Sequence, residues 1–242
     1  MFDIKKYISG IFVGSMLITS ANAQVFDFDY SEDIYFKLYT GIHDTEDSSY
    51  SEGASFDNGS INVQADLGFD SGFTIGGILG YPLFNPETSF FGNIRGELDA
   101  SYEKAYLDDV EFDASATWTR ADTTTIAFAT GSLEANGKLE VLNFYNNFIY
   151  HSKQISAIQP YFGLGAGFSY SELNIEDIIG EVIGTQDRYT SVGVQFVLGA
   201  DLLTFNNFSG GARVVGRRIN NTEEQISSRE VISGHFDLRY NF

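Results

Sequence analysis

The chain has 242 residues, with 33 acidic against 14 basic side chains, a net charge of −19 and no cysteine. That balance excludes nucleic-acid binding as a main role, because phosphates need a basic footprint, and it leaves no thiol, disulfide or Cys-ligated metal chemistry. The 25 glycines, 15% aromatics and only three prolines are the composition of a large sheet, since aromatics suit pleated surfaces and proline interrupts them.

At the start of the chain, Lys5 and Lys6 precede an apolar run from Ile8 to Thr19 and the small-residue triplet Ala21-Asn22-Ala23. This reads as an export signal cleaved before Gln24. The apolar run is shorter than the ~20 residues a spanning helix needs. The chain therefore divides into a signal peptide, 1–23, and one domain, 24–242. Losing Asp3, Lys5 and Lys6 moves the net charge from −19 to about −20. No later apolar segment has helix length, so a membrane can be crossed only with strands.

After Gln24 the organising signal is alternation with period two, the mark of a strand with two different faces. Weaker versions occupy Ile34–Ile42, Phe73–Leu83, Glu140–Tyr150 and Gly210–Arg217. Clear versions occupy Gly92–Tyr102, Tyr161–Tyr170, Tyr189–Leu202 and the final segment. In Gly92–Tyr102, the row Ile94, Leu98, Ala100, Tyr102 opposes Asn93, Arg95, Glu97, Asp99 and Ser101. In the last segment, Ile232, Gly234, Phe236, Leu238, Tyr240 and Phe242 oppose Val231, Ser233, His235, Asp237, Arg239 and Asn241. The eight segments predict eight strands.

Connections are short after Leu83, Tyr150 and Leu202. They are long over His43–Asp70, Glu103–Gly137, Ser171–Arg188 and Arg218–Arg229. Short turns alternating with long loops are the rhythm of an outer-membrane barrel. Val110–Trp118 and Thr124–Ala129 also alternate and read as a hairpin carrying the second loop beyond the membrane; a ten-stranded barrel is the alternative.

In hydrocarbon every backbone polar group needs an internal partner, so strands cross only as a closed ring. A soluble, lipocalin-like barrel would instead turn its apolar row inward around a ligand. Lys37, Arg95, Glu97, Asp99, Asp201, Arg213, Asp237 and Arg239 share the polar row with repeated glycines. Opposite charges can pair inside a narrow lumen, whereas lipid is closed to them. The prediction is an all-β, closed antiparallel transmembrane β-barrel with an interior charge network of Arg95, Glu97, Asp99, Asp201, Arg213, Asp237 and Arg239.

The residues Phe236-Asp237-Leu238-Arg239-Tyr240-Asn241-Phe242 resemble the C-terminal signal read by the outer-membrane assembly machinery of Gram-negative bacteria. In that signal the apolar row Phe236, Leu238, Tyr240, Phe242 ends on phenylalanine. The segments GFTIGGILGYPL (72–83), FGNIRGELDASY (91–102), VLNFYNNF (141–148) and PYFGLGAGFSY (160–170) resemble the opacity-protein and surface-antigen group of small barrels, akin to the transmembrane domain of outer-membrane protein A. The resemblance implies residence in the outer membrane, contact with its lipid and lipopolysaccharide, handling by the assembly machinery, and loops offered to host or surface ligands.

Catalysis finds little support. His43 and His151 fall near strand ends and read as solvated interfacial residues. Ser233, His235 and Asp237 share a face in triad order, but residues two apart on a strand are about 6.6 Å apart, against about 3 Å for triad members. The GLGAG run at Gly163–Gly167 lacks dinucleotide spacing and no helix follows it. Acids crowd the loops: Asp44, Glu46, Asp47, Glu52 and Asp57 in the first, Asp108, Asp109, Glu111 and Asp113 in the second, and Glu172, Glu176, Asp177 and Glu181 in the third. None has EF-hand spacing. They read as a solvated, repulsive surface. No cofactor, metal or catalytic residue is expected. The sequence thus points to a surface protein with a structural, adhesive or antigenic role, with a narrow porin-like channel as the alternative.

Overall fold

The computed structural model describes residues 34–45, 48–83, 93–120, 123–152, 157–178, 185–205, 207–221 and 228–242. The export segment, and Glu46, Asp47 and Glu181, lie outside the described residues. The strands are β1 (Tyr35–Thr45), β2 (Ser48–Phe56), β3 (Gly59–Phe69), β4 (Gly72–Pro82), β5 (Asn93–Arg120), β6 (Thr123–His151), β7 (Gln159–Ile178), β8 (Thr185–Phe205), β9 (Phe208–Asn221) and β10 (Arg229–Asn241).

Eight strands close a ring in the order β1–β4–β5–β6–β7–β8–β9–β10, and β10 returns to β1 with Tyr35 opposite Asn241 and Thr45 opposite Val231. Every pairing is antiparallel. The ring leaves no open edge at membrane depth, as a chain in hydrocarbon requires. The ten-stranded alternative does not hold, because β2 and β3 stand outside the ring.

The faces are arranged inside out relative to a soluble protein. On β10, Val231, Ser233, His235, Asp237 and Arg239 are buried, while Ile232, Phe236 and Leu238 are 63%, 72% and 55% exposed. Lys37 is fully buried, between exposed Phe36 and Leu38. An apolar belt of this extent is costly in water and at home in lipid. The lipocalin-like alternative fails on this orientation. Aromatic rings mark both rims of the belt: Phe73 and Tyr102 lie 6.1 Å apart at one, while Phe208 meets Tyr240 at 5.0 Å and Tyr150 meets Phe162 at 5.4 Å at the other.

The long connections expected of the sequence are largely strand. β5 and β6, of 28 and 29 residues, run on past the belt as one hairpin in which Trp118 pairs with Thr125. The expected first loop folds into the β2–β3 hairpin, and β3 pairs with the far half of β5, Gly59 opposite Trp118. A four-stranded sheet, β2–β3–β5–β6, therefore stands above the barrel.

Candidate functional site: the charged lumen and its apolar cap

Alternation sends one row of each strand into the lumen, and the ring brings residues far apart in sequence face to face. At the end near the chain termini, Lys37 lies 3.4 Å from Asp201 and 4.0 Å from Glu97, and Arg239 reaches Asp201 at 3.0 Å. The hydroxyl of Tyr35 donates to Glu97, and the Arg239 guanidinium lies 3.9 Å from the centre of the Tyr35 ring. Arg95 points the same way and donates through Nε to Asn93 at 3.0 Å.

In the middle tier, Arg213 pairs with Asp99 at 3.2 Å and donates through Nε to His235 Nδ1 at 3.1 Å. Tyr39 donates its hydroxyl to the other oxygen of Asp99 at 2.7 Å. The upper tier joins Arg217 to Glu103, and Arg217 Nε to Gln195 at 2.9 Å; Gln195 in turn donates to Asn147 at 2.5 Å. Of the seven expected network residues, Glu97, Asp99, Asp201, Arg213 and Arg239 engage cross-lumen partners. Asp237 is buried, and neither of its carboxylate oxygens has a hydrogen-bond partner.

The Glu103–Arg217 pair and the tyrosines Tyr35 and Tyr39 are outside the expected set. Glu103 continues the inward row Glu97, Asp99, Ser101, so extending that row by one step would have found it. His43 and His151 are both 3% exposed, contrary to the expectation of solvated residues. His43 sits 3.1 Å from Thr74 Oγ1, and the His151 ring lies 5.2 Å from that of Tyr161. Ser233 donates to the carbonyl of Val215 at 3.4 Å, and His235 Nδ1 is taken by Arg213, so Ser233, His235 and Asp237 form no relay.

Inward glycines give up their space to neighbours. A Cβ at Gly80 would strike the Tyr35 ring, one at Gly76 the Tyr39 ring, and one at Gly199 the Tyr161 ring. The lumen is filled by tyrosine rings and charged side chains, as in small barrels generally.

Beyond the upper tier the polarity of the wall reverses. On β6 the outer row changes from Phe148, Phe144 and Leu142 to Glu140, Lys138 and Glu134, while the inner row changes from Asn147 and Asn143 to Val141, Leu139 and Ala135. Leu139, Val141 and Leu173 pack together, with Leu67 and Phe69 of β3 against them; Leu107, Val110 and Ala135 form an adjoining cluster. The pairing slips at one level: Gly68/Phe69 of β3 against Asp109/Leu107, Leu107/Asp109 of β5 against Gly137/Glu134, and Asn136/Gly137 of β6 against Asp177/Ile175 of β7. The bulge transfers the inward row of β5 from Leu107 to Val110, which keeps apolar side chains facing in where the outer face meets water. An apolar cap thus adjoins the charged lumen. Among the described residues no group of three or more His, Asp or Glu is placed to hold a metal.

No protein-family model matches the chain, and no curated protein matches it. Among solved structures, the chain is similar to Neisserial surface protein A at 14% identity, over 86% of this chain and 97% of that one, with a TM-score of 0.46. It is similar to the outer membrane protease OmpT from Escherichia coli at 9% identity, over 89% and 99%, with a TM-score of 0.44. For the attachment invasion locus protein of Yersinia pestis the values are 10%, 87%, 99% and 0.37. The closed antiparallel transmembrane β-barrel of this chain stands on its own ring of strands, in which β10 pairs with β1.

Proposed function

We propose that this chain is an integral outer-membrane surface protein whose barrel is a filled anchor and whose working part is the four-stranded sheet above it. The reversal of wall polarity supports this reading: apolar outside and charged inside through the belt, then charged outside and apolar inside over the stretch from Glu140 to Glu134. Such a wall suits lipid over one stretch and water over the next. The belt contacts membrane lipid. The acidic outer row Asp109, Glu111, Asp113 repels lipopolysaccharide phosphates unless divalent cations bridge them. The outward row Phe236, Leu238, Tyr240 and Phe242 is the surface offered to the assembly machinery. The sheet meets ligands. The test is gel mobility of the purified outer-membrane fraction with and without heating: a closed barrel shifts on heating, and a soluble chain with no shift overturns the reading.

A narrow channel is the second reading. Glu97 Oε2, Asn147 Nδ2 and the Arg229 guanidinium are buried without hydrogen-bond partners, and such groups are served by water. Planar-bilayer recordings separate the two readings. Filled tiers under an apolar cap predict silence from correctly folded protein, whereas discrete conductance steps establish the channel.

A further inference from the structure

The distal half of β6 is an open edge. β6 pairs with β5 down to Arg120 opposite Thr123, but its pairing with β7 ends at Ala135 opposite Ile178. Among the described residues no strand covers the other side of Thr123–Glu134. Folded proteins usually blunt such edges with charge, proline or a covering element. This one does none of these: Thr123 to Leu133 reads TTTIAFATGSL, without a charge or a proline in a chain of net charge −19. Four threonines and Ile126 give it high strand propensity. Ile126 and Phe128 stand on the outer face, 55% and 77% exposed.

We infer that this edge pairs with the same edge of a second copy of the chain. The inference rests on the membrane-anchored reading above. Charge selects the occupant. The outer face of the neighbouring strand carries Asp109, Glu111 and Asp113, so two copies repel over most of the extension. The run Thr123–Leu133 is where they can meet without placing like charges opposite each other along it. The other open edge, β2, has the acidic residue Glu52 midway along its sequence.

Symmetry selects the geometry. Antiparallel pairing of two identical edges needs a two-fold axis perpendicular to the sheet, and this sheet rises from the membrane, so the axis lies parallel to the membrane plane. The two copies then point in opposite directions, from opposing membranes, and Ile126 and Phe128 of both gather on one face. In a single membrane the axis would stand upright, the strands would run parallel, and those side chains would fall on opposite faces. From Tyr102 at the rim to Arg120 at the tip is roughly 60 Å along the strand at ~3.3 Å per residue, ample reach for tips to overlap. The protein would hold facing membranes together by strand addition, one of the recurring modes of recognition.

The test uses the folded full chain in phosphatidylcholine vesicles of two colours. Wild-type vesicles should cluster across colours, and protein-free vesicles should not join. Ile126→Glu with Phe128→Glu should slow clustering by roughly tenfold or more, because like charges then face each other across the pair. Mixing those vesicles with vesicles carrying Ile126→Lys and Phe128→Lys should restore it, and the Lys vesicles should prefer the Glu partner to the wild type. Dispersed wild-type vesicles, undiminished clustering of the Glu variant, failed rescue, or equal attraction of the Lys variant to wild type each overturns the inference. Every preparation is also run with and without heating. A missing heat shift sinks the barrel reading itself, whereas dispersed vesicles with a normal shift sink only the edge pairing.

Discussion

Arg213 of β9 reaches Asp99 of β5 at 3.2 Å across the lumen, although 114 positions separate them in the chain. Both side chains are buried, and Asp99 also accepts from Tyr39. Removing one partner leaves the other charge buried, which costs about 3–5 kcal/mol, whereas removing both can be nearly neutral. Arg213→Met or Asp99→Ala alone should lower the urea midpoint of unfolding in lipid vesicles markedly. The double variant should lose much less than the sum, and additive losses would show that the two charges do not interact.

The filled glycine sites make a paired prediction. Gly80→Val places side-chain atoms inside the Tyr35 ring, while nothing stands within 4 Å of a Cβ at Gly216 or Gly234. Gly80→Val should destabilise the barrel by about 1–3 kcal/mol through overpacking, and Tyr35→Ala added to it should recover part of the loss. Gly216→Ala should leave the heat-shift temperature where it was. Equal effects at Gly80 and Gly216 would refute the packing account.

A charge scan along the outer row of β6 should trace the membrane boundary. Phe148→Arg, in the belt one outward step from the Tyr150 rim, should cost roughly 1–3 kcal/mol, between the interfacial and midplane costs. Ser132→Arg, on the exposed extension, should stay within about 0.5 kcal/mol. The profile is read from unfolding midpoints, and a flat one would remove the belt from the position assigned to it.

Just above the rim, the Tyr102 hydroxyl donates to Glu140 and holds its carboxyl below the ordinary range, with help from Lys138 and Lys104. A carboxyl held low in the folded state stabilises it above the unfolded pKa and loses that contribution as pH falls through the folded one. Tyr102→Phe should therefore be less stable than wild type at neutral pH, and the gap should close in acid. The Glu140 side chain is half-buried and still reached by water, so the gap is small. A difference that persists unchanged in acid would assign it to the ring rather than to the hydrogen bond.

The eight staves of the ring were legible because period-two alternation survives wherever one side is lipid and the other is a charged lumen. The β2–β3 hairpin was not, because Ser48–Ser60 is rich in serine, glycine and acids, and its weak alternation resembles a loop. Glu103 was lost where the inward row turns apolar at Ala105 and Leu107, a change that mimics the end of a strand. The two histidines read as wet because they lie at strand ends, yet neighbouring side chains bury both. Inward glycines suggested free space, and only the register shows that Tyr35, Tyr39 and Tyr161 lie over them. A sequence gives the face a residue occupies but not what the next strand lays across it.

The seam between β1 and β10 joins nearly the two ends of the described chain, with Phe36 opposite Tyr240, whereas β5 and β6 are neighbours in sequence and pair as far as Arg120 opposite Thr123. Loop-closure entropy makes the local hairpin fast and the seam slow. Until the seam forms, β1 and β10 are bare edges of an open sheet, so the last pairing in time is also the one that decides whether the rest survives. Damage confined to the outward side of β10 should therefore appear as a loss of assembled protein in the cell, with little change in the stability of the molecules that do close.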